Sequence, residues 1–418
     1  MINYTFFQYW AIIFLIPLTL KQKEFPKSFN IIFLLSPFIF YIKKLLSGIT
    51  NSQAFWNQTT IKEFTSIFPD MTATLVQLDC QFNLAKESKL NAENLNTGCI
   101  FNEVRYGPLF HSLQLNLNLD FLYFFYILLY FFAFYFMFLY FKKEESVDPL
   151  LFGLIFLSPS FNLTLNQLNI DLLIVIFIYL LFKSSDKYFY FKSFFVFILC
   201  LIKQHPVGFL IGLIFVAKEK RKTIYLYFLL TNFVLINLYF LLNDSNYFTG
   251  QPRPSSSRNS NGILSISENI WINSFEKAVG YRLVLVIYIC FAILIIGILK
   301  YYSKYLNRNL KNLQLNDFQV ASITWFIFAG IYANYDYRLI IGFLFIIFFK
   351  DPRFKFFFLM LLYLSPYTEF NFEIFNLSQT IFKYFIFLGV LLFLIRYLIN
   401  YFDSHKNIFF RTLYKLLK

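Results

Sequence analysis

The segment Lys203-Gln204-His205-Pro206 places two basic side chains at a break between two apolar stretches. Proline lacks a backbone N–H, so Pro206 predicts a tight turn or a helix break at this point. An ammonium group and an imidazole at such a break would suit a phosphate, although Lys203 could also simply extend its charge towards water. His205 could also be an ordinary hydrogen-bonded turn residue. It has no second histidine or carboxylate at metal-ligand spacing beside it, so the sequence predicts no metal site here.

A second short turn, Asn334-Tyr335-Asp336-Tyr337-Arg338, also joins two apolar stretches. An arginine beside a carboxylate either forms an internal ion pair only, or is held by the carboxylate so that its guanidinium binds a phosphate. The sequence leaves both possibilities open for Asp336 and Arg338. Tyr335 lies in the same turn and is a further candidate for substrate contact.

Amide and carboxyl side chains cluster just before the apolar stretch that begins at residue 170. Asn162, Asn166 and Asn169 have the spacing that places side chains on one face of a helix. Asp171 follows at the start of the apolar stretch. These groups could hydrogen-bond the hydroxyls of a sugar; helix capping and hydrogen bonds between helices are the alternatives.

Two carboxylates in an earlier polar segment are candidates for a general base. Asp70 follows Phe68-Pro69, and Asp79 lies nine residues later. A carboxylate that is partly removed from water at a membrane boundary can accept a proton from a reacting hydroxyl. Asp70 could instead cap a helix over residues 71–79, and either residue could be an ordinary loop acid.

The elements that must position these residues are apolar. Of the 418 residues, 58% are hydrophobic and only 14% are charged, whereas soluble domains carry about 25% charged residues. This composition excludes a soluble enzyme, a secreted disulfide scaffold and a disordered protein. We expect an all-α, polytopic integral membrane protein with about 12–13 transmembrane helices. The candidate stretches are residues 5–20, 28–48, 121–141, 149–160, 170–182, 192–204, 206–217, 224–242, 283–300, 319–333, 338–349, 356–367 and 380–398.

The net charge of +14 is explained by membrane topology. Most Lys and Arg residues fall in short connections that lie on one side of the membrane, and the positive-inside rule makes that side cytoplasmic. The long loops at 49–118 and 243–282 then face the exterior of a single transmembrane domain over residues 1–400. Residues 401–418 form a basic amphipathic tail on the cytoplasmic lipid surface. No nucleic acid partner is predicted.

The four cysteines divide by position. Cys80 and Cys99 share the first exterior loop, where an oxidising environment would let them form a disulfide. Two unrelated thiols are the alternative. Cys200 and Cys290 lie inside apolar stretches and are expected to be packing residues.

The order of these features resembles the multi-spanning glycosyltransferases of the GT-C superfamily. Within that superfamily it is similar to the bacterial family 87 group, mannosyltransferases that use polyprenyl-phosphate-mannose. The resemblance covers residues 60–350. The first-loop aspartate of the family usually follows its first span closely, whereas here two candidate spans precede it, so Asp70 and Asp79 both stay open. The matching segments are Pro69-Asp70, Asn169-Ile170-Asp171, Lys203-Gln204-His205-Pro206 and Asp336-Tyr337-Arg338-Leu339.

The resemblance implies an inverting transfer that needs neither metal nor cofactor. A hexose would move from a polyprenyl phosphate to a glycan or glycolipid acceptor at the extracytoplasmic face of the bacterial plasma membrane. The family resemblance implies that this hexose is mannose. Asp70 would be the base, and Asn169 and Asp171 would orient sugar hydroxyls. The departing phosphate would be stabilised by the cations of the two turns, which are Lys203, His205 and Arg338.

Two other functions fit a chain of this composition. A polysaccharide polymerase or ligase of the outer face is also multi-spanning, but it would normally carry its large exterior loop late in the chain. A lipid or glycan transporter would favour internal repeats and helices broken at the middle of the membrane. We find no repeat, and the polar clusters are predicted at the outer boundary.

Overall fold

The computed structural model describes most of the central and C-terminal apolar stretches. The described residues are 108–109, 119–143, 149–156, 158, 160–161, 169–183, 188–243, 260–261, 315–331, 334–335, 339, 341–346, 352–364 and 373–404. Both candidate bases, the Cys80–Cys99 pair and the predicted stretches at 5–20, 28–48 and 283–300 lie outside these residues.

The described chain is helical, with one short antiparallel pairing. In chain order the elements are α1 (Leu119–Lys143), α2 (Pro149–Phe156), α3 (Ile170–Lys183), α4 (Phe189–Ile202), α5 (Val207–Val216), α6 (Lys220–Asn243), β1 (Ser260–Asn261), α7 (Asp317–Ile331), β2 (Asn334–Tyr335), α8 (Phe343–Ile346), α9 (Pro352–Leu364) and α10 (Glu373–Ser404). The prediction of helical structure is confirmed for α1 to α10, and the two-residue strands β1 and β2 depart from it. In the pairing, Ser260 lies opposite Tyr335 and Asn261 opposite Asn334, so two residues of the predicted second exterior loop pair with the first two residues of the segment predicted as the second turn.

Local sequence signals set several helix ends. At the start of α7, Asn316 and Gln319 form a reciprocal capping box. The Gln319 N–H donates to Asn316 Oδ1 at 2.8 Å, and the Asn316 N–H donates to Gln319 Oε1 at 2.9 Å. These bonds satisfy backbone donors that the first turn of a helix leaves unpaired. The last helix runs past residue 400 to Ser404, so its C-terminal end enters the segment predicted as the tail.

The core of the described part is built on α5 and α7. The sequence of α5 carries no charged residue and is apolar all round, which is typical of a helix enclosed by other helices. Among the described helices, α5 and α7 share the most extensive contact, and α4 and α6 also pack on α5. The α7 helix packs in turn on α10, which contacts α9. Trp325 of α7 and Phe209 of α5 are fully buried, with their rings edge to face at 6.0 Å.

Polar side chains tie the outer helices to this core. Ser160 Oγ donates to the carbonyl of Leu362 at 3.0 Å, and the Tyr363 hydroxyl donates to the carbonyl of Leu154 at 2.9 Å. These two bonds connect α2 and its following turn to α9. Cys200 is buried with its thiol unbonded to any cysteine, as expected of a packing residue.

One described helix, over Lys220–Phe240 of α6, is long and apolar enough to cross a membrane. Six further apolar helical segments of 10–17 residues lie within α1, α3, α4, α5, α9 and α10. Large apolar side chains are exposed on α1 and α6, including Phe124, Phe125, Phe132, Phe136, Tyr227, Phe228, Leu235, Tyr239 and Leu242. These two helices therefore present apolar faces to their surroundings.

Candidate functional site

Asp171 lies in the first turn of α3 and is fully buried. Asn169 caps this helix, because its Oδ1 accepts the Asp171 N–H at 2.8 Å and its carbonyl accepts the Leu172 N–H at 3.1 Å. The same carbonyl accepts a hydrogen bond from the Tyr130 hydroxyl of α1. Capping fixes the direction in which α3 begins, and a carboxylate near a helix N-terminus is favoured by the helix dipole.

Lys203 and His205 lie in the turn between α4 and α5. Lys203 ends α4, and its N–H donates to the carbonyl of Leu199 at 2.9 Å. Pro206 then adopts helical backbone angles as the cap of α5, and the His205 carbonyl accepts the Gly208 N–H at 3.2 Å. The break that the Lys203–Pro206 segment predicts is confirmed, and it leaves both basic side chains between two apolar helices.

The three ionisable side chains form a cluster that we call the Asp171 cluster. Lys203 Nζ lies 3.5 Å from Asp171 Oδ1, and His205 Nε2 lies 3.1 Å from the same oxygen. The side chain of Asp171 is fully buried, and only 8% of each basic side chain is exposed. A buried carboxylate must be paired to remain charged, so these contacts hold the cluster together.

Trp325 of α7 completes the cluster. Its indole Nε1–H donates to His205 Nδ1 at 3.0 Å, and the two rings are nearly parallel, with an angle of 11° between their planes. Both ring nitrogens of His205 therefore have partners within the protein. Sequence reasoning missed Trp325, although a tryptophan in an apolar stretch needs an acceptor for its N–H when it is buried.

Two glycines of α5 bring α7 close enough for this contact. A Cβ added at Gly208 would lie 2.9 Å from Cα of Trp325, and one added at Gly212 would lie 2.5 Å from Cα of Ala321. Their i, i+4 spacing puts both glycines on one face of α5, where small residues let two helix backbones approach closely. The pair explains how Trp325 reaches His205 across the helix interface.

The structure brings together four of the residues predicted to bind substrate, namely Asn169, Asp171, Lys203 and His205. The sequence assigned Asp171 to a sugar and Lys203 to a phosphate, whereas the structure pairs them with each other. Tyr335 contributes backbone to β2. The remaining predicted site residues lie outside the described residues, and their roles stay predictions: Asp70, Asp79, Asn166, Asp336 and Arg338.

Within the described ranges, no three His, Cys, Asp or Glu side chains lie together as metal ligands would. The Asp171 cluster can supply one cation, one carboxylate and one imidazole at a buried helix break. The chain matches no protein family model, no curated protein and no solved structure with which it was compared.

Proposed function

We propose that the protein is a GT-C-type membrane glycosyltransferase of the bacterial plasma membrane. It moves a hexose, mannose by its family resemblance, from a polyprenyl phosphate to a glycan or glycolipid acceptor at the extracytoplasmic face. The observation that carries the proposal is the Asp171 cluster, a set of ionisable side chains buried between apolar helices. Ionisable groups in such surroundings usually serve a substrate or ion path, because burying them is costly.

The multi-pass arrangement is supported by α6 and by the apolar segments of the neighbouring helices. Helix α3 rises ~1.5 Å per residue, which separates Asp171 from Lys183 by about 18 Å along the axis. The hydrocarbon core of a bilayer is about 30 Å thick. If the basic end of α3 lies at the cytoplasmic surface, the cluster lies below the outer boundary, where a lipid phosphate would have to enter between the helices.

The proposed reaction uses one base and one stabilised leaving group. Asp70 takes the proton of the acceptor hydroxyl as that oxygen bonds to the anomeric carbon. The bond from this carbon to the phosphate oxygen breaks, and its electron pair stays on the departing lipid phosphate. Lys203 stabilises the charge on that phosphate, with Arg338 as the second cation. Asp79 is the alternative base.

The other predicted residues bind and orient in this proposal. Asn166 and Asn169 orient the sugar, and Tyr335 and Asp336 support Arg338. Asp171 holds Lys203 in place through the 3.5 Å contact. His205, whose ring nitrogens already have partners, acts on the phosphate through Asp171.

A proton-coupled transporter is the second candidate, and the same cluster favours it. Buried Asp, His and Lys side chains also form proton relays in membrane transporters. Uptake of a lipid-linked or free sugar into proteoliposomes, driven by a pH gradient and without formation of a glycosidic bond, would identify this function.

The proposal is tested with the purified protein in lipid nanodiscs and a panel of polyprenyl-phosphate sugars. We expect turnover with a hexose donor, and Asp70→Ala should lower it by at least about 100-fold because a general base is lost. Glu219→Gln is the matched control, since Glu219 is exposed and paired with Lys222 at 2.7 Å at the start of α6. Full turnover in Asp70→Ala would assign the general base to Asp79 instead. Full turnover in Asp79→Ala as well would refute a carboxylate base in this loop.

A further inference from the structure

The hydrogen bond from Trp325 determines where His205 carries its proton. An indole N–H is a donor only, so His205 Nδ1 must be the acceptor in the 3.0 Å contact. The imidazole proton then lies on Nε2, which faces Asp171 Oδ1 at 3.1 Å. The geometry is satisfied by a single species, the neutral Nε2–H tautomer.

A doubly protonated His205 does not fit this arrangement. Its Nδ1–H would point at the indole N–H, and two donors would face each other where one hydrogen bond now exists. Among the residues that the structure describes, the charged side chains next to His205 are Asp171 and, through the same carboxylate oxygen, Lys203. With a neutral His205, the charges of Asp171 and Lys203 balance each other in their buried surroundings.

We propose that Trp325 is a positioning residue that keeps His205 neutral, so that Lys203 remains the one cation of the cluster bound to Asp171 Oδ1. Lys203 and His205 share that oxygen. A protonated imidazole would compete with the ammonium group for it and would release Lys203 from its position. The inference rests on the proposed function for its effect on turnover, because that function gives Lys203 the departing phosphate.

The tautomer is measured directly by nitrogen NMR of protein labelled at histidine in nanodiscs. The sequence contains His111, His205 and His405, and the His205 signals are assigned by their loss in His205→Gln. We expect the wild type to show one species, with the proton on Nε2. Trp325→Phe keeps an aromatic ring and removes the donor, so its His205 should show a mixture of tautomers and a cationic fraction at pH 7.

Phe209→Leu is the matched control. The Phe209 ring packs against Trp325 at 6.0 Å but makes no hydrogen bond to His205. This variant disturbs the packing around the indole and leaves the N–H donor in place, so His205 should remain the Nε2–H tautomer. A single Nε2–H species in Trp325→Phe, or an equal change in Phe209→Leu, would overturn the proposal.

Turnover supplies the second measurement. With a polyprenyl-phosphate hexose as donor, Trp325→Phe should lower kcat about tenfold, the effect of one lost hydrogen bond, with little change in KM. If wild-type protein transfers no sugar while its His205 is held as Nε2–H, the glycosyltransferase proposal fails and the role of Trp325 stands. If wild-type protein transfers sugar while its His205 is a mixture of tautomers, the role of Trp325 fails and the glycosyltransferase proposal stands.

Discussion

Asp171→Asn is expected to lower the free energy of unfolding by about 3–5 kcal/mol, because it leaves the Lys203 charge buried without its carboxylate. The substitution keeps the shape of the side chain and an acceptor for His205 Nε2. The loss is therefore a measure of charge pairing and not of packing. The change in the free energy of unfolding is measured by SDS titration in mixed micelles, with tryptophan fluorescence as the signal.

The double variant Asp171→Asn/Lys203→Met separates stability from function. Removing both charges leaves neither member of this ion pair without its partner, and buried ion pairs can be replaced by uncharged groups at little cost in stability. We expect the double variant to be clearly more stable than Asp171→Asn alone. Under the proposed function, its turnover should nevertheless stay about 100-fold below wild type, because the departing phosphate would lose the Lys203 cation.

Two results would contradict this prediction. Losses of stability that simply add in the double variant would show that Asp171 and Lys203 do not interact energetically. Wild-type turnover in a stable double variant would show that Lys203 does not act on the leaving phosphate, and the glycosyltransferase proposal would then depend on Arg338 alone.

Gly212→Ala is expected to destabilise the protein by about 1–3 kcal/mol through overpacking between α5 and α7. The new methyl group would meet backbone atoms of Ala321 at 2.5–3.1 Å, so one helix must move away from the other. That movement carries Trp325 away from His205. We therefore expect a lower unfolding midpoint in SDS and, by histidine NMR, loss of the single His205 tautomer.

Gly389→Ala is the control for this substitution. Gly389 lies within α10, and a Cβ added there meets no atom of the described residues within 4 Å beyond its own stretch of helix. Alanine is favoured over glycine in a helix by about 1 kcal/mol, so this variant should be as stable as wild type or more so. Equal destabilisation by both substitutions would show that the close helix contact at Gly212 does not contribute to the free energy of unfolding.

The helices of the described part were largely predictable from sequence. The apolar stretches at 121–141, 170–182 and 206–217 coincide within a few residues with α1, α3 and α5. Each is defined by local composition, and local composition is what a single sequence carries. Pro206 likewise marked the end of α4 correctly, because a proline restricts the backbone wherever it occurs.

The pairing within the site was not predictable in the same way. His205 and Trp325 are 120 residues apart in the chain, and no spacing rule connects them. Asp171 and Lys203 were each recognised as candidates, but their contact depends on how α3 packs beside α4. The i, i+4 spacing of Gly208 and Gly212 is a local sign of a close helix contact, but the sequence analysis did not use it, and the spacing does not say which helix lies opposite.

The close approach at Gly212 has a genetic consequence. The three atoms nearest to a Cβ added at 212 are the Cα, O and C of Ala321, and every amino acid at position 321 carries these atoms. A substitution at 321 cannot remove these backbone contacts, so we expect none there to suppress a Gly212 mutation. Gly342 differs, because an added Cβ would strike the ring of Phe358, which a smaller side chain would remove. Second-site revertants should arise at position 358 for Gly342 mutants and not at position 321 for Gly212 mutants.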